Sequence, residues 1–193
     1  MKILLATRNE HKLIEIKNKL NNPEIEIITL NDLADVDEVE ETEDTFIGNA
    51  YLKAKHYFDK FNIPTLSDDS GLVCLYNGLP GVKSARFAGE KATSLENNLK
   101  LLDELKGVTN RDAYFISLLC LVTNDNTYTF EGRLNGRIGY DFVGNNGFGY
   151  DSLFITEDGR TLAELSLEEK NEISHRGQAI DKLAQFLKSW RDK

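Results

Sequence analysis

Apolar positions along the chain recur with two periods, and the switches between them predict the elements. Lys2 to Thr7 is a continuous apolar run that predicts a buried strand. Arg8-Asn-Glu-His-Lys12 breaks the run, and Leu13, Ile16 and Leu20 then recur at helical spacing, with Ile14 widening the stripe. This is strand, polar loop and amphipathic helix, with Thr7 or Asn9 where an N-cap belongs. Ile25 to Leu30 predicts a second strand. Phe46, Ala50, Ala54, Tyr57 and Phe61 fall on one face of a helix that Thr45 caps, and Pro64 ends that segment. Thr65 to Gly71 followed by Leu72 to Tyr76 reads as strand, polar turn, strand, with Asp68 and Asp69 at the turn.

Farther on, Gly78 to Gly81 is a turn. Thr93 to Lys106 predicts a helix with Leu95, Leu99, Leu102 and Leu105 inward and Gly107 as its stop. Ala113 to Thr123 and Thr127 to Arg133 form a hairpin about Asn124-Asp-Asn126, and Gly132, Gly136 and Gly139 suggest bends in a curved strand. A polar loop, Asn145-Asn-Gly-Phe-Gly-Tyr-Asp151, leads into Ser152 to Ile155, and Leu162 to Lys170 is a short helix or turn. The last helix opens at Ser174-His-Arg176 and carries the stripe Ile180, Leu183, Leu187, Trp190.

The 193 residues suit one domain, or one domain of two lobes. A net charge of -9 argues against binding nucleic-acid polymers, yet it leaves room for a nucleotide held by a local basic pocket and cations. Cys74 and Cys120 sit in apolar runs and read as core residues. No apolar run approaches the ~18 residues of a membrane span, and Arg8, Glu10, His11 and Lys12 interrupt any signal-peptide core. A reducing cytoplasm is the expected home.

Adjacent Asp68 and Asp69 are either an exposed turn or members of one site, and they can serve one site only if the backbone bends between them, because neighbouring strand residues face opposite ways. A buried carboxylate must be hydrogen-bonded, paired or bound to a cation. The acid run from Asp32 to Asp44, which includes Asp35, Asp37, Glu40 and Glu41, is either a solvated loop or a source of oxygen ligands for a hard cation. The start of the first helix offers free amides and Lys12 to a phosphate, or is ordinary capping. Lys53 is either solvated or directed to a phosphate. Phe148 and Tyr150 either stack on a base or plug the core. His175 and Arg176 in a first helical turn oppose the helix dipole, which is either a local violation that function imposes or surface decoration.

These pieces, in order, resemble the inosine/xanthosine triphosphate pyrophosphatase family, the Ham1-like enzymes of non-standard purine nucleotides. The resemblance rests on Thr7-Arg-Asn-Glu-His-Lys12, Glu40-Glu-Thr42 with Thr45-Phe46 and Asn49-Ala50, Ser67-Asp-Asp-Ser-Gly71, and Pro80-Gly81 with Ser84-Ala-Arg86. It continues through Gly147-Phe-Gly-Tyr-Asp151, Ala163-Glu164, Glu169-Lys170 and Ile173-Ser-His-Arg176. Arg8 stands where the family commonly has Gly, Asn145-Asn146 replaces a more glycine-rich approach, and Ser152 replaces a common Pro.

The resemblance implies an α/β fold over residues 1–193, a single domain of two lobes. A long central mixed sheet flanked by helices would carry an active-site cleft between the lobes. It implies Mg2+-dependent hydrolysis of ITP, dITP and XTP to the monophosphate and pyrophosphate, cleansing the nucleotide pool. It implies a homodimer, with no nucleic-acid polymer or membrane as partner. By position, Asp69 would be proton acceptor and metal ligand, with Asp68 and Glu40 or Glu41 completing the metal cluster. Thr7, Arg8, Asn9, Glu10, His11 and Lys12 would cradle the triphosphate, and the charge of the leaving group independently calls for cations, for which Lys12, Lys170 and either Lys53 or Arg86 are the candidates. Ser70, Phe148, Gly149, Tyr150, Asp151, Lys170, His175 and Arg176 would contact substrate, Phe148 stacking on the base and His175 and Arg176 reading its 6-oxo edge. Two other readings are a phosphatase with an aspartyl nucleophile, which would want two acids separated by one residue where Asp68 and Asp69 are adjacent, and a non-catalytic nucleotide- or Mg2+-binding module.

Overall fold

The computed structural model of the chain describes residues 1–33 and 38–190. Among the described residues, six strands make one mixed sheet flanked by helices: β1 Lys2–Leu5, β2 Glu26–Thr29, β3 Thr65–Cys74, β4 Asp112–Val122, β5 Thr127–Ile138 and β6 Phe154–Ile155. Their order is β2-β1-β3-β4-β5-β6. β1 runs parallel to both β2 and β3, and β5 runs antiparallel to β6. The helices are α1 Glu10–Leu20, α2 Phe46–Phe61, α3 Ser94–Glu104, α4 Leu167–Ile173 and α5 His175–Ser189. None of the described helices is long and apolar enough to cross a membrane. Asp35 and Asp37 of the acid run lie outside the described residues.

The chain divides into two compact units. The first comprises Met1–Asp69, Ser117–Gly132 and the chain from Arg176 onward. Its β1 is apolar on both faces because both are covered: Ile3 and Leu5 pack with α1 and α5, while Leu4 and Ala6 join Leu30 and Tyr57. Each such fully buried Leu or Ile contributes about 1.5–3 kcal/mol. Ala50 and Ala54 of α2 meet Cys120 and Val122 of β4, as the helical spacing predicts, and Thr45 caps α2 by accepting from Gly48 N–H.

The second unit comprises Ser70–Ile116 and Arg133–His175. Leu72, Cys74, Leu101, Leu105, Phe115, Ile138, Tyr150 and Phe154 form its core. Gly136 lies inside β5 rather than at a break, where a Cβ would come within 2.4 Å of the Ile155 carbonyl oxygen. Glycine is needed there for close strand approach. Both cysteine thiols are buried, which pushes them up to about 11 for Cys74 and about 12 for Cys120.

Three local predictions change. β3 is one ten-residue strand, without a turn at the acids, so Asp68 and Asp69 point to opposite faces. On α1, Ile14 is 49% exposed and Glu15 is buried in its place, because Glu15 has a buried cation to meet. On α3, Leu95 and Leu99 are half exposed, while Asn97, Asn98 and Leu101 face inward. The buried amides serve irregular backbone that leucines could not satisfy.

Candidate active site

In the first unit, the polar run after β1 folds back on itself. Asn9 N–H donates to Thr7 Oγ1 (3.2 Å), and Asn9 Oδ1 accepts from Lys12 N–H (3.2 Å), so Asn9 is the N-cap of α1. Arg8, Glu10 and His11 are exposed, and the Arg8 guanidinium reaches within 3.9 Å of Glu38. Lys12, by contrast, turns inward. Its Nζ lies 3.2 Å from Asp68 Oδ2 and donates to the Asp68 carbonyl at 3.4 Å.

Asp68 is the hub of a buried ionic network. Its Oδ1 accepts from Ser117 Oγ at 2.9 Å, and its Oδ2 accepts from Arg176 Nε at 2.9 Å. Arg176 Nη1 donates to the Glu15 carboxylate. Burial alone would raise the Asp68 carboxyl, but Arg176, Lys12 and Lys53 outweigh it and hold the group well below the usual carboxylate range. Burial dominates at Lys12 and lowers its ammonium, against the pull of Asp68.

Asp69 behaves in the opposite way. Its Oδ1 lies 3.6 Å from Lys53 Nζ, while its buried Oδ2 has no hydrogen-bond partner. Lys53 Nζ also donates to Glu41 Oε1 at 2.7 Å and to the Asp68 carbonyl at 3.0 Å. Burial lowers the Lys53 ammonium, but Asp69 and Glu41 more than reverse that. Burial pushes the Asp69 carboxyl up to about 6, with Glu41 and Asp68 acting in the same direction and Lys53 and Lys12 opposing them. Two neighbouring acids thus have widely separated proton affinities, a pattern that assigns them different tasks.

Among the described residues, no three His, Cys, Asp or Glu side chains converge on one point as a ready metal centre. Both Asp68 carboxylate oxygens are engaged, and Glu40 is exposed. Asp69 and Glu41 meet the same ammonium, and one Asp69 oxygen is unsatisfied. Two carboxylates, one with an unsatisfied oxygen, are ligands of the kind a hard divalent cation takes.

In the second unit, the loop before β6 is built around Asp151. Its Oδ2 accepts from Phe148 N–H (2.9 Å) and from the buried Lys170 ammonium (2.8 Å). Gly147 has φ +76°, and a Cβ there would fall 2.0 Å from Asp151 Oδ2. The two aromatics part company. Tyr150 plugs the core and donates its hydroxyl to the Ser84 carbonyl (2.7 Å), whereas the Phe148 ring is half-buried with Lys170 Nζ 4.7 Å from its centroid. The Gly149 carbonyl accepts from Asn98 Nδ2 at 2.8 Å. His175 is buried and stacks on Phe115 with centroids 4.8 Å apart. Ser70 is half-buried, and Arg86 lies 3.7 Å from Glu90.

Glu15, Ser117 and Asn98 were not predicted. Each interrupts an apolar stripe with one polar residue: Glu15 between Leu13 and Ile16, Ser117 between Phe115 and Leu119, and Asn98 above Leu101. That interruption is the available signal, and it names no partner.

The same chain can be set beside known proteins. The profile of the Ham1 family matches residues 3–186. A protein of Elusimicrobium minutum named dITP/XTP pyrophosphatase is 48% identical, with 97% of this chain and 100% of the relative covered. The solved HAM1 protein of Coxiella burnetii superimposes with a TM-score of 0.92 at 38% identity, covering 98% of this chain and all of its own. The Staphylococcus aureus Ham1 protein gives 0.90 at 38% identity, covering 98% and 99%. A profile match over nearly every residue, and the same fold at substantial identity, have one reading: the chain belongs to the Ham1 family.

Proposed function

We propose that this chain hydrolyses inosine and xanthosine triphosphates, including dITP, to the nucleoside monophosphate and pyrophosphate. Relatives that match it end to end bear the name dITP/XTP pyrophosphatase. The observation that carries the reading is Asp69: a buried carboxyl raised to about 6, one oxygen unsatisfied, beside Lys53 and Glu41.

Asp69 and Glu41 would hold Mg2+. When bound, the cation offsets phosphate charge and acidifies a water. Asp69 takes a proton from the attacking water. The water oxygen bonds to the α-phosphorus, the bond from that phosphorus to the bridging oxygen breaks, and its electron pair leaves on pyrophosphate. In this reading the ionised Asp69 carboxylate is the general base, placed to accept that proton. Lys12 and Lys53 offset the charge of the leaving group, and the α1 start from Thr7 through Asn9 offers its amides to phosphate. Asp68, held ionised by Arg176, Ser117 and Lys12, positions those cations.

In the second unit, Phe148 is the stacking surface for the base, with Lys170 and Asp151 fixing it. His175 of this unit, and Arg176 of the first, are the donors for the 6-oxo edge. The homodimer implied by the family likeness belongs to this reading, and molar mass in solution tests it.

Incubation with ITP and Mg2+ tests the reaction. The expected products are IMP and pyrophosphate in equal amounts. Orthophosphate would favour the aspartyl phosphatase, and binding without turnover would favour the non-catalytic module.

A further inference from the structure

Helix α3 places two asparagines on its inward face where the apolar pattern predicts leucines. Asn97 is satisfied by one segment: its Oδ1 accepts from Ala88 N–H (2.7 Å) and its Nδ2 donates to the Ala85 carbonyl (3.0 Å). Asn98 differs. Its Nδ2 donates to its own helix at the Ser94 carbonyl (2.6 Å) and, 51 residues away, to the Gly149 carbonyl (2.8 Å). Its Oδ1 is buried with no partner. An unpaired buried acceptor costs free energy, so the amide is a poor choice for stability alone at a position where Leu would fit the helix.

What the amide secures is one residue of the loop that presents Phe148. Gly149 has φ +62°, a conformation costly for other residues. The loop is therefore pinned at three successive residues by three different groups. Phe148 N–H is held by Asp151, the Gly149 carbonyl by Asn98, and the Tyr150 hydroxyl by the Ser84 carbonyl. Asp151 and Tyr150 belong to the loop itself. Two anchors come from outside it: Ser84 through its backbone carbonyl and Asn98 through its side chain, so Asn98 is the outside anchor that a side-chain substitution can remove.

We propose that Asn98 is a positioning residue for the purine, acting through the Gly149 carbonyl to hold the Phe148 ring ready for stacking. It touches neither substrate nor reacting atoms. The proposal rests on the reading above that Phe148 stacks on the base. A platform fixed before binding spares the ligand the cost of ordering it, so the loss falls on KM.

The test is steady-state hydrolysis of ITP by the full chain with Mg2+, for Asn98→Leu, Asn98→Asp, Phe148→Ala and the two Asn98 variants combined with Phe148→Ala. Asn98→Asp keeps the shape but replaces a donor pair with an anion facing two carbonyls. It serves as the second variant should Asn98→Leu misfold. The expected result is a rise in KM of about five- to tenfold for either Asn98 variant, with kcat within about twofold, the size of one lost hydrogen bond. In the Phe148→Ala background the same substitution adds less than about twofold, because the two act as one unit. An equal fall in kcat and unchanged KM, or effects that multiply independently, would overturn the assignment of Asn98. An unchanged KM in Phe148→Ala alone would instead overturn base stacking on Phe148.

Discussion

Arg176 and Asp68, 108 residues apart in the chain, meet inside the first unit with Nε 2.9 Å from Oδ2, and neither side chain is more than 2% exposed. Glu15 holds the other side of the same guanidinium. Removing one partner from a buried charge pair strands the rest, which costs about 3–5 kcal/mol. Arg176→Met is expected to lose that much in urea unfolding, since it takes the guanidinium from Glu15 and leaves Asp68 to Lys12. Arg176→Lys recovers little, because one ammonium cannot reproduce a planar fork. Adding Glu15→Gln and Asp68→Asn to Arg176→Met should restore much of the loss. A penalty below about 1 kcal/mol for Arg176→Met would mean that the network is not the anchor described.

Asp69 predicts a stability change of opposite sign. Its folded value of about 6 lies above the ordinary 3.8, so folding favours the protonated form. The stabilising contribution is complete below about pH 4 and is lost as pH rises through 6. Above that, ionised Asp69 costs on the order of 2–3 kcal/mol. In divalent-free buffer, Asp69→Asn should therefore be more stable than the parent at pH 7.5, with the gap closing toward pH 4. Added Mg2+ should raise the unfolding temperature of the parent and leave the variant nearly unmoved. A variant less stable than its parent at pH 7.5 would contradict the raised value.

How far the sequence alone reaches depends on the scale of the feature. Leu13, Ile16 and Leu20 on α1, and Ala50, Ala54 and Tyr57 on α2, are buried as their spacing predicts, because a helix needs only one continuous stripe to choose its face. Ile14 and Leu99 mislead, since each lies beside a polar residue with a stronger claim on the interior. The claim of Glu15 comes from Arg176, and that of Asn98 from the Gly149 carbonyl. Such long-range partners leave no trace in local periodicity. Asp68 and Asp69 stand out in the sequence as a pair, but their division of labour does not: it requires knowing that β3 runs straight through them and that the cations on each side differ.

Selectivity offers a third expectation. A site that presents hydrogen-bond donors to a 6-oxo group leaves adenine's 6-amino group facing another donor. Buried mismatches of that kind discriminate by several orders of magnitude. The ratio of kcat/KM for ITP to that for ATP should be at least about 100 in parallel initial-rate assays, and a ratio near one would remove the donor set from the account.

The rate of pyrophosphate release from ITP by Asp69→Asn, measured beside the parent at pH 7.5 with saturating Mg2+, bears on the central claim most directly. The substitution keeps the size of the side chain and removes the proton-accepting carboxylate. Turnover should fall by at least about 100-fold while circular dichroism stays that of the folded parent. Near-parental turnover in the folded variant would show that another group accepts the proton.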